Sequence, residues 1–295
     1  MTERLPEFSN LVPFDWAGTR GWCVGDFRLP GWVVPYIVIM LAFFRRRRRD
    51  RLRQRPFPDD WRLILERNVP IYARLSPDAQ AELRGHVQVL LAEKHFEGCG
   101  GLEITDEIRV TIAAHAGLLL LGRTADYYPG LFSVLVYPSA YRAPLTEHHD
   151  GGIVTESEEG RLGESWERGA LVLAWDAARS DARALDDGSN VMLHEFAHQL
   201  DTEDGSADGV PVLDRHSDYA AWARALRMEY ERLRETPHLS MLDEYGATDA
   251  AEFFAVATEA FFEQPELLRR RHPELYTELS RFYRVDLAPK QEAEP

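Results

Sequence analysis

Cysteine is scarce in this 295-residue chain: only Cys23 and Cys99 occur, and neither belongs to a C-x-x-C pair. They supply no disulfide framework, and a reducing, intracellular setting is expected. Positive charge is scarce too, and unevenly placed. The chain carries a formal −15, yet Arg45 to Arg55 holds eight arginines against one aspartate, so the rest sums to −22. An acidic body offers no basic face to a phosphate backbone, which argues against nucleic acid as the main partner. Long apolar runs are also missing. Gly31 to Phe44 comes nearest, but Pro35 interrupts it. As a helix it would rise only about 21 Å, short of the roughly 30 Å hydrocarbon core.

That apolar stretch runs straight into the arginines, the wrong order for a secretory signal, whose charges come first. The order suits an anchor with its carboxyl side in the cytoplasm. It equally suits a helix lying in the membrane interface with its arginines on anionic lipid, or a helix packed on the domain. Each arrangement leaves the remainder of the chain cytoplasmic, free or tethered to the inner face of the membrane.

What the sequence does contain is core. Hydrophobic residues make up 45% of it, enough for one large domain or a domain with appendages. Residues 1–30 are rich in Pro, Gly and Trp without a clear period and read as a loose tail. Residues 31–55 are the apolar segment and arginine run, 56–288 a globular domain, and 289–295 an acidic tail expected to be disordered. Within the domain, helices are expected over Trp61–Arg67, Ala79–His95, Ile108–Leu121, Ser217–Arg234, Ala250–Phe262 and Pro273–Tyr283. Phe132–Tyr137 and Ala170–Trp175 read as strands, and the polar, Gly-rich stretch from His148 to Gly169 as a long loop. No internal repeat is visible. The fold class is α+β, predominantly helical, with a small sheet.

The chemistry concentrates at Asn190–Asp201, N-V-M-L-H-E-F-A-H-Q-L-D. Asn190 is a good N-cap, and Val191, Leu193, Phe196, Ala197 and Leu200 give the helix an apolar face. His194 and His198 fall one turn apart on one face, with Glu195 between them. This is the H-E-x-x-H arrangement of zinc peptidases, in which two histidines hold Zn2+ and the glutamate serves a metal-bound water as general base. A catalytic zinc usually takes three protein ligands. Asp204 stands where a metzincin pattern has its last ligand, but that pattern wants Gly at the turn and Asp201 is there. His216 lies in a loop with nothing else to recommend it. Glu252 is the better candidate, a carboxylate among Phe253, Phe254 and Val256 that would be expensive to bury unpaired. Glu259, seven residues on and on the same face, is read as accepting the N–H of a ligand histidine. Asp201 is read either as orienting His194 or His198 or as a structural residue at the helix end. His115 reads as a satisfied core histidine, and the His148-His149 pair as a loop pair without a defined role.

The chain resembles the Mlc titration factor A family of zinc-dependent peptidases, whose catalytic domain is similar to that of anthrax lethal factor. The matching residues include V-P-I-Y at Val69–Tyr72, F-E-G-C-G-G-L at Phe96–Leu102 and V-L-V-Y-P at Val134–Pro138. They continue with G-E-S-W-E-R-G-A-L-V-L-A-W-D from Gly163, H-E-F-A-H-Q-L-D from His194 and E-F-F-A-V-A-T-E-A-F-F from Glu252. Coverage runs from about Pro56 to Asp286 and omits residues 1–55. The resemblance implies a glutamate-ligated, zincin-like fold, one Zn2+ with Glu252 as third ligand, and aminopeptidase-like activity. It also implies a role for Tyr245, which occupies the place of a family tyrosine seven residues before that glutamate. Tyr245 O–H would donate to the developing oxyanion. A peptide substrate is expected to pair along Leu171, Val172, Leu173 and Ala174, read as an edge strand. Because the family is named for a protein that sequesters the repressor Mlc, a regulatory repressor partner is the alternative function.

Overall fold

The computed structural model describes residues 12–16, 19–24, 27–30, 33–123, 126–139, 141–149, 153–161, 163–166, 169–184 and 188–288. The chain divides into two compact units, Met1–Arg55 and Pro56–Pro295. In the first, β1 (Val12–Trp16), β2 (Thr19–Val24) and β3 (Phe27–Pro30) pair antiparallel, where a loose tail is the sequence expectation. A 21-residue helix follows, α1 (Val33–Arg53). Pro35 does not interrupt it, because it sits in the first turn, where a backbone N–H has no helical partner in any case.

The second unit opens with α2 (Asp59–Asn68), α3 (Ile71–Arg74) and α4 (Pro77–Glu93). Ser76 caps α4 by accepting from Ala79 N, with Pro77 at the first helical position. After β4 (His95–Gly98), Thr105 caps α5 (Asp106–Leu118), which is buried from Val110 to Leu118 and forms the centre of the core. The strands β5 (Ser133–Tyr137), β6 (Tyr141–His149), β7 (Ile153–Arg161), β8 (Gly163–Trp166) and β9 (Ala170–Ala174) come next. Then follow α6 (Trp175–Arg183), α7 (Val191–Asp201), α8 (Tyr219–Glu235), α9 (Ala250–Glu263), α10 (Pro265–Arg271) and α11 (Pro273–Tyr283). The chain is thus predominantly helical with a small sheet.

That sheet runs β4-β5-β9-β8, with β4, β5 and β9 parallel and β8 antiparallel to β9. Two expectations fail here. Leu171–Ala174 is not an edge strand: Leu171 faces Val134 on one side and Ser165 on the other, and Val172 faces Leu135 and Glu164. All four residues are buried. A continuous apolar run is the signature of a strand covered on both faces, and this one is also paired on both sides. The described residues between His148 and Gly169 do not form a loop: β6 and β7 pair antiparallel from Tyr141↔Arg161 to His149↔Ile153, and β8 joins the sheet. The signal is weak because I-V-T-E-S-E-E-G-R of β7 lacks the alternation that betrays a half-buried strand.

The core brings α7 against α9, α5 and the β8–β9 edge of the sheet. Phe253, Phe254, Phe261 and Phe262 on α9 are all buried, and Phe261 stacks on Tyr283 at 5.6 Å. Truncating one such phenylalanine to alanine costs about 3–5 kcal/mol, so the frame that holds α9 beside α7 is stiff. Gly209 ties the loop after α7 to the start of α9. Its φ of +75° and an added Cβ 2.3 Å from Ala250 O leave room for no other residue.

Candidate metal centre

Asn190 caps α7, its Oδ1 accepting from Leu193 N, so the motif begins one turn inside a well-specified helix. Asp249 caps α9 by accepting from Glu252 N, which places Glu252 in that helix's first turn. The two helices pack so that three donor atoms converge. His194 Nε2 lies 3.0 Å from Glu252 Oε2 and 3.1 Å from His198 Nε2, and His198 Nε2 lies 3.4 Å from Glu252 Oε2. Three ligands about 2.0–2.1 Å from a tetrahedral ion would stand about 3.3 Å apart. Among the described residues this is the group of His, Cys, Asp and Glu whose geometry could hold a metal ion.

Electrostatics point the same way. Burial disfavours a charged His194, yet the carboxylates of Glu252 and Glu259 on its two ring nitrogens outweigh it and push the imidazole up to about 10. Burial also raises the Glu252 carboxyl, but the hydrogen bonds and charges of His194 and His198 bring it down to about 2. Positive charge is drawn to the point where the three donors meet. Two imidazole nitrogens and one carboxylate are the donor types that suit zinc.

A second layer fixes the first. His194 Nδ1 lies 2.7 Å from Glu259 Oε1, so in the neutral ring that a metal ion requires the proton sits on Nδ1 and the Nε2 lone pair faces Glu252 and His198. Glu259 is buried, and that burial raises its carboxyl even against the His194 bond. Its other oxygen accepts from Asn190 N at 2.5 Å, so the cap of α7 and the orientation of His194 depend on one side chain. Two residues not anticipated belong to this layer. Glu263 Oε1 accepts from Asn190 Nδ2 at 3.1 Å, and Asp181 Oδ2 accepts from Val191 N at 3.0 Å. Glu263 was within reach of the burial argument, since it stands one turn beyond Glu259 on the same apolar helix. Asp181 carried no such signal.

The remaining candidates fall as follows. Glu195 is buried on α7, and its charge is felt at His194. Tyr245 sits on a 3-10 turn, Glu244–Ala247, with its ring centroid 6.1 Å from that of His194 and 54% of its surface exposed. Asp201 serves the helix end: Oδ2 accepts from Gly209 N at 3.0 Å. Asp204 is exposed and accepts from Ser206, and exposed His216 packs by Tyr219. His115 is buried on α5 with Nδ1 bonded to Thr111 O. The side chains of His148 and His149 lie outside the described residues.

A histidine pair and a glutamate converging from two helices, with a carboxylate behind one histidine, define a metallopeptidase type of centre. The family model described as glucose-regulated metallo-peptidase M90 matches residues 43–284. The chain is 43% identical over 240 residues to an uncharacterized protein of Synechocystis sp., covering 80% of this chain and 87% of that one. It is 33% identical over 225 residues to Mlc titration factor A of Yersinia pestis and of Yersinia pseudotuberculosis, covering 74% of this chain and 82% of theirs. The chain therefore belongs to the glucose-regulated metallo-peptidase M90 family, together with the Mlc titration factor A proteins.

Proposed function

We propose that this protein is a zinc-dependent peptidase of the glutamate-ligated zincin type, with His194, His198 and Glu252 as the ligands of one Zn2+ per chain. The observation that carries this reading is the 3.0–3.4 Å triangle of ligand atoms, backed by Glu259 on the far nitrogen of His194. When bound, such an ion lowers the pKa of water towards about 7 and polarises a carbonyl. Glu195, adjacent to His194, takes the proton of the attacking water and returns it to the leaving amine. Tyr245 is exposed beside His194 and donates its O–H to the oxyanion as it forms. An extended peptide finds its backbone partner not on β9 but on β8, the outer strand of the sheet among the described residues, which packs on α7. Aminopeptidase-like specificity rests on the family resemblance, and a cytoplasmic setting on the scarcity of cysteine.

The test is hydrolysis of free and amino-blocked peptides before and after chelation. Chelation should abolish activity, zinc should restore it, and blocking the amino terminus should prevent cleavage. Activity indifferent to chelation would contradict the zinc mechanism. Cleavage of blocked peptides would remove only the aminopeptidase part.

A second reading has one observation behind it: two relatives are named as titration factors of Mlc. In it the chain sequesters a transcriptional repressor, and peptidase activity is secondary. The two separate cleanly, because repressor binding should survive His194→Ala and His198→Ala whereas hydrolysis should not.

A further inference from the structure

Helix α1 belongs to no part of the metal centre, and among the described residues it carries six of the twelve exposed large hydrophobic side chains. Tyr36, Ile39, Met40, Phe43 and Phe44 recur at the spacing that puts them side by side on one helix face. All five are exposed, Tyr36 by 66% and Ile39 by 65%. The same face continues through Arg47 and Arg51, and the Arg47 guanidinium lies 4.8 Å over the Phe43 ring where the two halves meet. No charged residue interrupts Val33–Phe44, whereas Arg45–Arg49, Arg51 and Arg53 fill the other half. The family match begins at residue 43, so most of the apolar half, Val33–Ala42, stands outside the matched region. Soluble surfaces rarely leave so large an apolar patch in water.

The occupant of this face has to supply apolar contact first and negative charge immediately after. A second copy pairing through α1 supplies the apolar contact, but its own α1 offers the seven arginines a single aspartate, Asp50, and its other acidic residues lie outside that helix. Nucleic acid supplies the charge and leaves Phe43 and Phe44 in water. An anionic bilayer supplies both, at the depth order that the helix presents: acyl chains, then headgroups. The apolar half rises about 18 Å against a hydrocarbon core of roughly 30 Å. No helix among the described residues is long and apolar enough to cross a membrane.

We propose that α1 is a membrane-docking helix, lying within one leaflet of an anionic bilayer with Tyr36–Phe44 among the acyl chains and the arginines from Arg45 onward on the lipid headgroups. This holds whether or not the peptidase reading does. The test is co-sedimentation of the purified full chain with phosphatidylcholine vesicles, with and without phosphatidylglycerol. Binding should require phosphatidylglycerol, weaken about tenfold or more in high salt, and be released by alkaline carbonate. Replacing Arg45, Arg46, Arg47 and Arg48 by Gln should lower partitioning about a hundredfold or more. Phe43→Ser with Phe44→Ser should lower it about tenfold or more. All these residues are exposed, so unchanged thermal unfolding of each variant separates lost docking from lost folding. Failure to bind phosphatidylglycerol vesicles overturns the proposal, as does equal binding by the arginine variant. Carbonate-resistant binding overturns it in favour of a spanning segment. Concentration-dependent dimers abolished by Phe43→Ser with Phe44→Ser, without lipid binding, would assign the face to a second copy.

Discussion

Two histidines of this chain, His272 buried and His194 half-buried, meet glutamates at almost the same distance. His194 Nδ1 meets Glu259 at 2.7 Å, and His272 Nδ1 meets Glu229 at 2.6 Å. The difference lies in what surrounds each pair. His272 stands between α10 and α11, its glutamate partner on α8 is also approached by Arg232 at 3.6 Å, and the pair closes a helix junction. His194 turns its second nitrogen to Glu252 and His198. A buried histidine–carboxylate pair is therefore not a site by itself. It becomes one when the free ring nitrogen is aimed at further donors that converge on a point.

Several changes would break or sharpen that contrast. Activity should separate the two regions most. Glu195→Gln, next to His194, should lower peptide hydrolysis by about 10²–10⁴-fold with the metal content unchanged. Arg232→Gln, next to Glu229, should leave the rate within about twofold. Steady-state rates and metal analysis of both variants check this, and full activity in Glu195→Gln would remove the general-base role.

Acid should expose a third kind of buried histidine, one without any carboxylate. Burial holds His115 neutral, with its pKa down to about 4 despite the Thr111 carbonyl bond. In the unfolded chain it titrates near 6.5. Between these values the unfolded state binds the extra proton, so stability falls as the pH drops from 6.5 to 4. The loss is on the order of 3 kcal/mol. Denaturant titrations across that window should show the slope, and His115→Gln should flatten it.

The two glutamates should then fail in different ways. Glu259→Gln should weaken metal binding by about 10–100-fold. Glu229→Gln should leave metal affinity untouched and cost about 1–3 kcal/mol of stability. Competition with a chelator reads the first, and chemical unfolding the second. If both variants lose metal equally, the distinction between the pairs collapses.

The same contrast explains what could be read from the sequence. His194, Glu195 and His198 were legible because helical periodicity fixes their relative positions within one element. Glu252 and Glu259 were legible because a carboxylate among Phe253, Phe254 and Phe261 is costly without a partner. Asn190 was recognisable as a cap, but the carboxylates of Glu259 and Glu263 that reach it, and that of Asp181 on Val191 N, come from other elements, and no local pattern encodes those pairings. The His272–Glu229 pair escaped for the same reason. Sheet order is the feature that composition records least. Leu171–Ala174 could be recognised as a strand, but an apolar run does not say which neighbours it has, and β8 lies on the side where an open edge was expected. The polar strands β6 and β7 pair through their backbones, and side-chain composition does not record such pairing.

The central claim is that the third ligand comes from α9 and not from the residues just after α7. Zinc content of the purified protein and of two variants tests it most directly. One zinc per chain in the wild type and in Asp204→Ala, with none retained in Glu252→Ala, is the predicted result. Stoichiometric zinc in Glu252→Ala together with its loss in Asp204→Ala would contradict it.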